Sequence, residues 1–198
     1  MNLPNKLTMF RIFLVIPLII CFSLFIWSSN NNFSEVNTKS NSQYFLYASG
    51  FIFVISMISD FFDGYLARKN NQITSFGKLF DPLADKIITT TSLIFLSIFN
   101  YTYLILVLIF IIRDLIVDGS RNIAAYQRIK IEASIYGKLK TIFQSIAIPL
   151  VIFLSPLINK NNWWEVFLIN IPMICATLMS IISGVFYFKQ IIPFINNK

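Results

Sequence analysis

The stretch SDFFDGYLARKNNQITSFGKLFDPLAD, residues 59–85, sets four carboxylates, Asp60, Asp63, Asp81 and Asp85, between two long apolar runs. A charge at the centre of a membrane-crossing helix costs roughly 2.5–3.5 kcal/mol on insertion scales and persists where pairing or function compensates. Residues three or four apart share one helix face. Asp60 and Asp63 therefore point together at the end of one run, and Asp81 with Asp85 at the start of the next. Two antiparallel helices joined by a short basic loop would bring all four toward one cavity. Carboxylates so placed repel one another unless cations neutralise them. Oxygen-only ligands favour Mg²⁺ or Mn²⁺. A pair of such ions about 3.5–4 Å apart is a recurrent device for phosphoryl transfer.

The flanks of this stretch give the fold class. The chain has 198 residues, of which 56% are hydrophobic and only 13% charged, whereas a soluble domain carries about 25% charge. Crossing a bilayer takes about 20 apolar residues. Runs of that order recur at about 7–27, 44–68, 79–99, 101–126, 139–157 and 164–188. The expected fold is all-α: a polytopic membrane protein with six transmembrane helices, one domain over residues 1–198. Ser28 to Gln43, rich in Asn and Ser, reads as an exposed loop, and Asn159 to Asn162 as a shorter one. The first run lacks a small-residue cleavage site and reads as a span rather than a leader.

Lys6, Arg11, Lys69, Lys78, Arg128, Lys130, Lys138, Lys140, Lys189 and Lys198 fall on one side of these spans, against Lys39 and Lys160 on the other. The positive-inside rule puts the first group, both termini and the basic loops in the cytoplasm. Anionic headgroups and phosphorylated substrates account for the net charge of +7 without nucleic acid. Cys21 and Cys175 lie inside apolar runs and read as buried thiols. Histidine is absent, which excludes histidine phosphotransfer and histidine-ligated zinc and leaves acid–base or metal chemistry to carboxylates. Gly64, Ala67 and Gly77 leave the cavity wall without bulk, so that a nucleotide could lie against it, while Gly64 and Ala67 read equally as residues of close helix packing.

At their spacing, Asp60, Asp63, Gly64, Ala67, Arg68, Gly77, Asp81 and Asp85 resemble, without gap or substitution, the signature of the CDP-alcohol phosphatidyltransferases. The resemblance implies six transmembrane helices, a homodimer, and a cavity open to the cytoplasm in a bacterial cell membrane. It implies Asp60, Asp63 and Asp81 as ligands of two Mg²⁺ or Mn²⁺ ions, with Asp85 beside them as general base. Gly64, Ala67 and Gly77 would border the cytidine diphosphate. Arg68 would meet a phosphate, or serve only the helix C-terminus and the cytoplasmic charge bias.

Arg113, Asp114, Asp118 and Arg121 sit in the fourth apolar run, and pairing among themselves within the helix is one reading. Lys138 and Lys140 follow, and with Arg121 and Arg128 they form a cation cluster suited to a phosphorylated second substrate. Asn2-Leu-Pro-Asn5-Lys-Leu-Thr8-Met-Phe-Arg11, Gly119-Ser-Arg121 and Gly137-Lys138-Leu-Lys140-Thr141 with Gln144 resemble bacterial phosphatidylglycerophosphate synthases. That resemblance implies CDP-diacylglycerol as donor and glycerol 3-phosphate as acceptor. Asn5 and Thr8 would then lie on the cytidine diphosphate side, with Arg113, Arg121, Lys138 and Lys140 at the acceptor phosphate. Asp114 departs from the expected Glu, and Asp118 brings negative charge close to that site. From the residues alone, Asn5 and Thr8 read equally as a helix-start signal, with Arg11 at the membrane surface. Rival acceptors are serine, an inositol phosphate and phosphatidylglycerol. A divalent-cation transporter is the rival of another class, but its carboxylates should continue across the bilayer, and here they gather on one side.

Overall fold

The computed structural model describes residues 3–30, 37–69, 74–126 and 135–195. Six α-helices account for nearly all of them: α1 (Leu3–Asn30), α2 (Asn37–Lys69), α3 (Ser75–Ile98), α4 (Leu104–Tyr126), α5 (Ile135–Leu154) and α6 (Trp163–Ile195). A single 3-10 turn, Ser155–Leu157, follows α5, and no strand occurs among the described residues. Lipid offers no partner to a backbone amide, so apolar runs of this length satisfy their hydrogen bonds within helices.

Helix number and order agree with the sequence expectation, while the bounds differ. Helix α1 runs on to Asn30 and α2 begins at Asn37, so the loop expected over Ser28 to Gln43 is largely helix. Helices extend past the apolar core because their polar end turns are solvated, which hydropathy does not register. Length and apolarity are unequal among the six. Asn5–Ser29, Ser42–Leu66, Ile135–Leu157 and Trp163–Gln190 are long and apolar enough to cross a membrane. The chain is therefore a membrane protein. Helices α3, with Asp81 and Asp85, and α4, with Arg113, Asp114, Asp118 and Arg121, fall outside this set. Large apolar side chains stand exposed along the long helices, among them Phe13, Ile16, Phe51, Leu168 and Leu178. Water would disfavour that surface and lipid accepts it.

Two compact units are distinguishable. The first comprises Met1–Leu96 and Pro149–Ile158. Its core contains Leu18, Phe22, Leu46, Phe53, Leu93 and Ile152, with Phe22 stacked on Phe95 at 4.8 Å between ring centroids. Gly50 lets α2 close on the end of α5: a Cβ there would lie 2.9 Å from both Ile152 Cγ2 and Phe153 Cζ. The second unit comprises Ser97–Ile148 and Asn159–Lys198. It packs α4 on α6 around Val107, Phe110, Val117, Met173 and Ala176. Asn100, at φ 60°, ends the turn after α3, a left-handed position that Asn tolerates better than most residues. Glu165 fixes the start of α6, accepting from the Asn159 amide at 2.6 Å and from Asn162 Nδ2 at 2.8 Å.

Gly50→Val should lower the thermal unfolding midpoint in detergent, since overpacking of this kind costs about 1–3 kcal/mol. Gly119→Ala, where an added Cβ meets nothing within 4 Å, should leave it nearly unchanged. Equal midpoints for the two variants would contradict the close approach at Gly50.

Candidate active site

The first unit gathers its polar groups where the start of α1, the end of α2 and the start of α3 meet. Thr74 caps α3, its Oγ1 accepting from the Gly77 amide at 3.0 Å and donating to Asn5 Oδ1 at 2.7 Å. One threonine hydroxyl thus begins α3 and ties it to α1. Gly77 is buried at that junction. A Cβ on it would stand 3.3 Å from Asp81 Oδ2, 3.4 Å from Thr74 Oγ1 and 3.6 Å from Asn5 Oδ1. A side chain at position 77 would press on Asp81 and touch Thr74 and Asn5, so the glycine serves close packing at this junction, and the space expected beside it is taken by those three residues. Gly64 is half-buried, next to Asp63 on α2. The side chains of Ala67, Arg68 and Lys78, and all of Arg128 and Lys130, lie outside the described residues.

Thr8, one turn along α1 from Asn5, donates to Asp81 Oδ1 at 2.5 Å. A further turn on stands Arg11, fully buried. Its Nη1 pairs with Asp60, while Nη2 donates to Asp63 Oδ2 at 2.6 Å and lies 3.5 Å from Asp81 Oδ1. Three of the four aspartates that the sequence placed together thus converge on one guanidinium. The alternative of Arg11 at the membrane surface is overturned, because a guanidinium removed from water needs anionic partners and finds three here. The missed signal was its three-residue register with Asn5 and Thr8. A charge within an apolar run also calls for a partner. Asp85, one turn beyond Asp81 on α3, is exposed.

Side-chain exposure grades the trio: 4% for Asp63, 40% for Asp81 and 51% for Asp60. Asp63 anchors the cluster while the other two keep an open side. Three carboxylates and one guanidinium leave a net charge of −2, a field that attracts further cations. Among the described residues no three acidic groups already surround a single point in the manner of a metal shell. Their donors are nonetheless all oxygen and already converge on one cation, which fits a hard divalent ion.

The second unit holds the other charged set. Asp114 accepts from Lys140 Nζ at 2.9 and 2.8 Å through its two oxygens, and from Arg113 Nη1 at 2.9 Å. Arg113 also donates from Nε to the Ser180 carbonyl at 3.1 Å and from Nη2 to Ser183 Oγ. Gly184 leaves space for it: a Cβ there would sit 3.3 Å from Arg113 Cγ. Arg121 donates to the Tyr187 hydroxyl at 2.6 Å and lies over that ring, 4.8 Å from its centroid. Pairing confined to α4 is thus corrected, since α5 supplies Lys140 and α6 supplies Ser180, Ser183 and Tyr187. Lys140 is buried, whereas Arg121 and Lys138 are exposed.

Residues 1–185 match the family described as CDP-alcohol phosphatidyltransferase. Three bacterial relatives carry the name CDP-diacylglycerol–glycerol-3-phosphate 3-phosphatidyltransferase. The one from Mycoplasma pneumoniae is 35% identical over 100% of this chain and 90% of its own length. That from Mycoplasma genitalium is 38% identical over 96% of this chain and 84% of its own. That from Bacillus subtilis is 35% identical over 96% and 94%.

Asp114→Asn should destabilise the protein by up to about 3 kcal/mol, the lower end of the cost for a buried ion pair, because Lys140 is buried while Asp114 is only half-buried. Asp114→Leu combined with Lys140→Met should recover much of that loss, both read as thermal unfolding in detergent. An Asp114→Asn protein as stable as wild type would show that Lys140 and Arg113 are not held by this carboxylate.

Proposed function

The chain belongs to the CDP-alcohol phosphatidyltransferase family, and on that premise we propose that it transfers the phosphatidyl group of CDP-diacylglycerol to glycerol 3-phosphate, giving phosphatidylglycerophosphate and CMP. The observation that carries the chemistry is the convergence of Asp60, Asp63 and Asp81 beside Thr8 and Asn5. The choice of glycerol 3-phosphate is supported by the name that the relatives from three organisms share.

On this reading Asp60, Asp63, Asp81 and Asp85 hold two Mg²⁺ or Mn²⁺ ions. When bound, these supply positive charge to the donor diphosphate and to the departing CMP. Asp85, the exposed member, takes the proton from the acceptor hydroxyl. The acceptor oxygen then bonds to the phosphorus that carries diacylglycerol, the bond from that phosphorus to the CMP oxygen breaks, and CMP leaves with the electron pair. No covalent enzyme intermediate is needed. Asn5, Thr8, Gly64, Ala67, Arg68 and Gly77 border the cytidine diphosphate. Arg113, Arg121, Lys138 and Lys140 favour an acceptor that bears its own phosphate; Asp114 already engages the first and last, while Arg121 and Lys138 are exposed. The single domain spans residues 1–198 in a bacterial cytoplasmic membrane, with six spans, both termini and the active site on the cytoplasmic side, and a homodimer as the assembly.

Purified protein should release CMP from CDP-diacylglycerol with Mg²⁺ or Mn²⁺ only when glycerol 3-phosphate is present, and chelation of the metal should abolish release. Asp85→Asn should reduce turnover by about a hundredfold or more, the usual contribution of general-base catalysis. Release with serine or an inositol phosphate in place of glycerol 3-phosphate would overturn the acceptor and keep the chemistry. Arg121→Ala should raise KM for glycerol 3-phosphate about 10–100-fold, the range for a lost hydrogen bond to a charged group. An unchanged KM would remove Arg121 from the acceptor site.

A further inference from the structure

Arg11 holds the aspartates through its two terminal nitrogens, while its buried Nε has no hydrogen-bond partner. The hydrogen-bonded Nη2 stands 2.6 Å from Asp63 Oδ2, so a divalent ion on that oxygen, with bonds of about 2.0–2.1 Å, would lie within about 5 Å of it. Two cations at that separation repel, and the burial of Arg11 and Asp63 limits the screening between them. A guanidinium cannot relieve the repulsion by losing its proton. The charge balance points the same way. Two divalent ions by themselves neutralise Asp60, Asp63, Asp81 and Asp85, and the guanidinium then becomes surplus positive charge.

Given divalent ions on these aspartates, as in the function proposed above, we infer that Arg11 is their exchangeable counter-charge. The guanidinium holds the carboxylates together until an ion arrives, and the ion seats as Arg11 releases Asp60 and Asp63. Arg11 is thereby a positioning residue that sets how tightly the site takes its metal. A merely structural arginine would act oppositely: its removal would loosen the pocket and weaken metal binding along with stability.

The test is Mn²⁺ binding alone, without substrates, to the full chain in detergent, followed by the magnetic-resonance signal of free Mn²⁺. Arg11→Gln should bind Mn²⁺ about tenfold tighter than wild type, having lost a like-charge neighbour. Arg11→Lys, which keeps the charge, should stay near wild type. Equal or weaker binding by Arg11→Gln overturns the inference. In case that variant fails to fold, phenylglyoxal labelling of Arg11 in wild-type protein, read by peptide mass spectrometry, supplies an independent measure. Mn²⁺ should raise the labelling, and unchanged or reduced labelling overturns the exchange. Wild-type protein that binds Mn²⁺, and loses it in Asp63→Asn, keeps the metal reading whatever Arg11 does. Wild-type protein that binds none sinks both.

Discussion

A guanidinium shut away from water cannot shed its charge, and the arrangement around Arg11 follows from that constraint. It recruits Asp60 and Asp63 from α2 and Asp81 from α3, so one side chain of α1 fixes the ends of two other helices. Buried ion pairs of this kind contribute little net stability, since desolvation offsets attraction. Their effect is on arrangement: an uncompensated charge penalises any other packing of the three helices. Apolar contacts do the complementary work farther along, where Phe22 stacks on Phe95 and Gly50 admits Ile152 and Phe153. The charged junction selects the register, and the apolar contacts supply the burial.

The second unit solves the opposite problem. There a carboxylate, Asp114, lies between two cations, and the remaining donors of Arg113 turn to the Ser180 carbonyl and Ser183. Small residues on α6 make this possible, because Gly184 and the two serines leave a path for a long arginine side chain through closely packed helices. Arg121 is held differently, against the face and hydroxyl of Tyr187, which orients its guanidinium while leaving it exposed. On the proposed reading, the fixed cations shape a positive field and the exposed ones meet the acceptor.

Thr74 shows how local and long-range constraints meet in one residue. As an N-cap it satisfies a backbone amide that no helical carbonyl reaches, and the same hydroxyl donates to Asn5, 69 positions earlier in the chain. The beginning of α3, and with it the position of Asp81 and Asp85, is thereby coupled to the amino-terminal segment, which the proposed function sets beside the donor. That coupling gives the amino-terminal segment a structural reason to sit at the site, whatever ligand its side chains contact.

Six helices, their order and the shared face of Asp60 and Asp63 were legible in the sequence, because helix periodicity and the backbone's need for hydrogen bonds in lipid are local constraints. The spacing from Asp60 to Asp81 pointed to carboxylates that the fold brings together on Arg11. Helix bounds were less legible: Asn37 to Gln43 reads as loop by composition and is helix. The burial of Arg11 was decided only by the tertiary structure, as were the bond from Lys140 to Asp114 and the seat of Arg121 on Tyr187. These partners lie 49, 26 and 66 positions apart in the chain. No periodicity records a contact between helices that only packing brings side by side. The sequence by itself determined which charges exist and which of them share a helix face, and the fold decided which opposite charge each one meets.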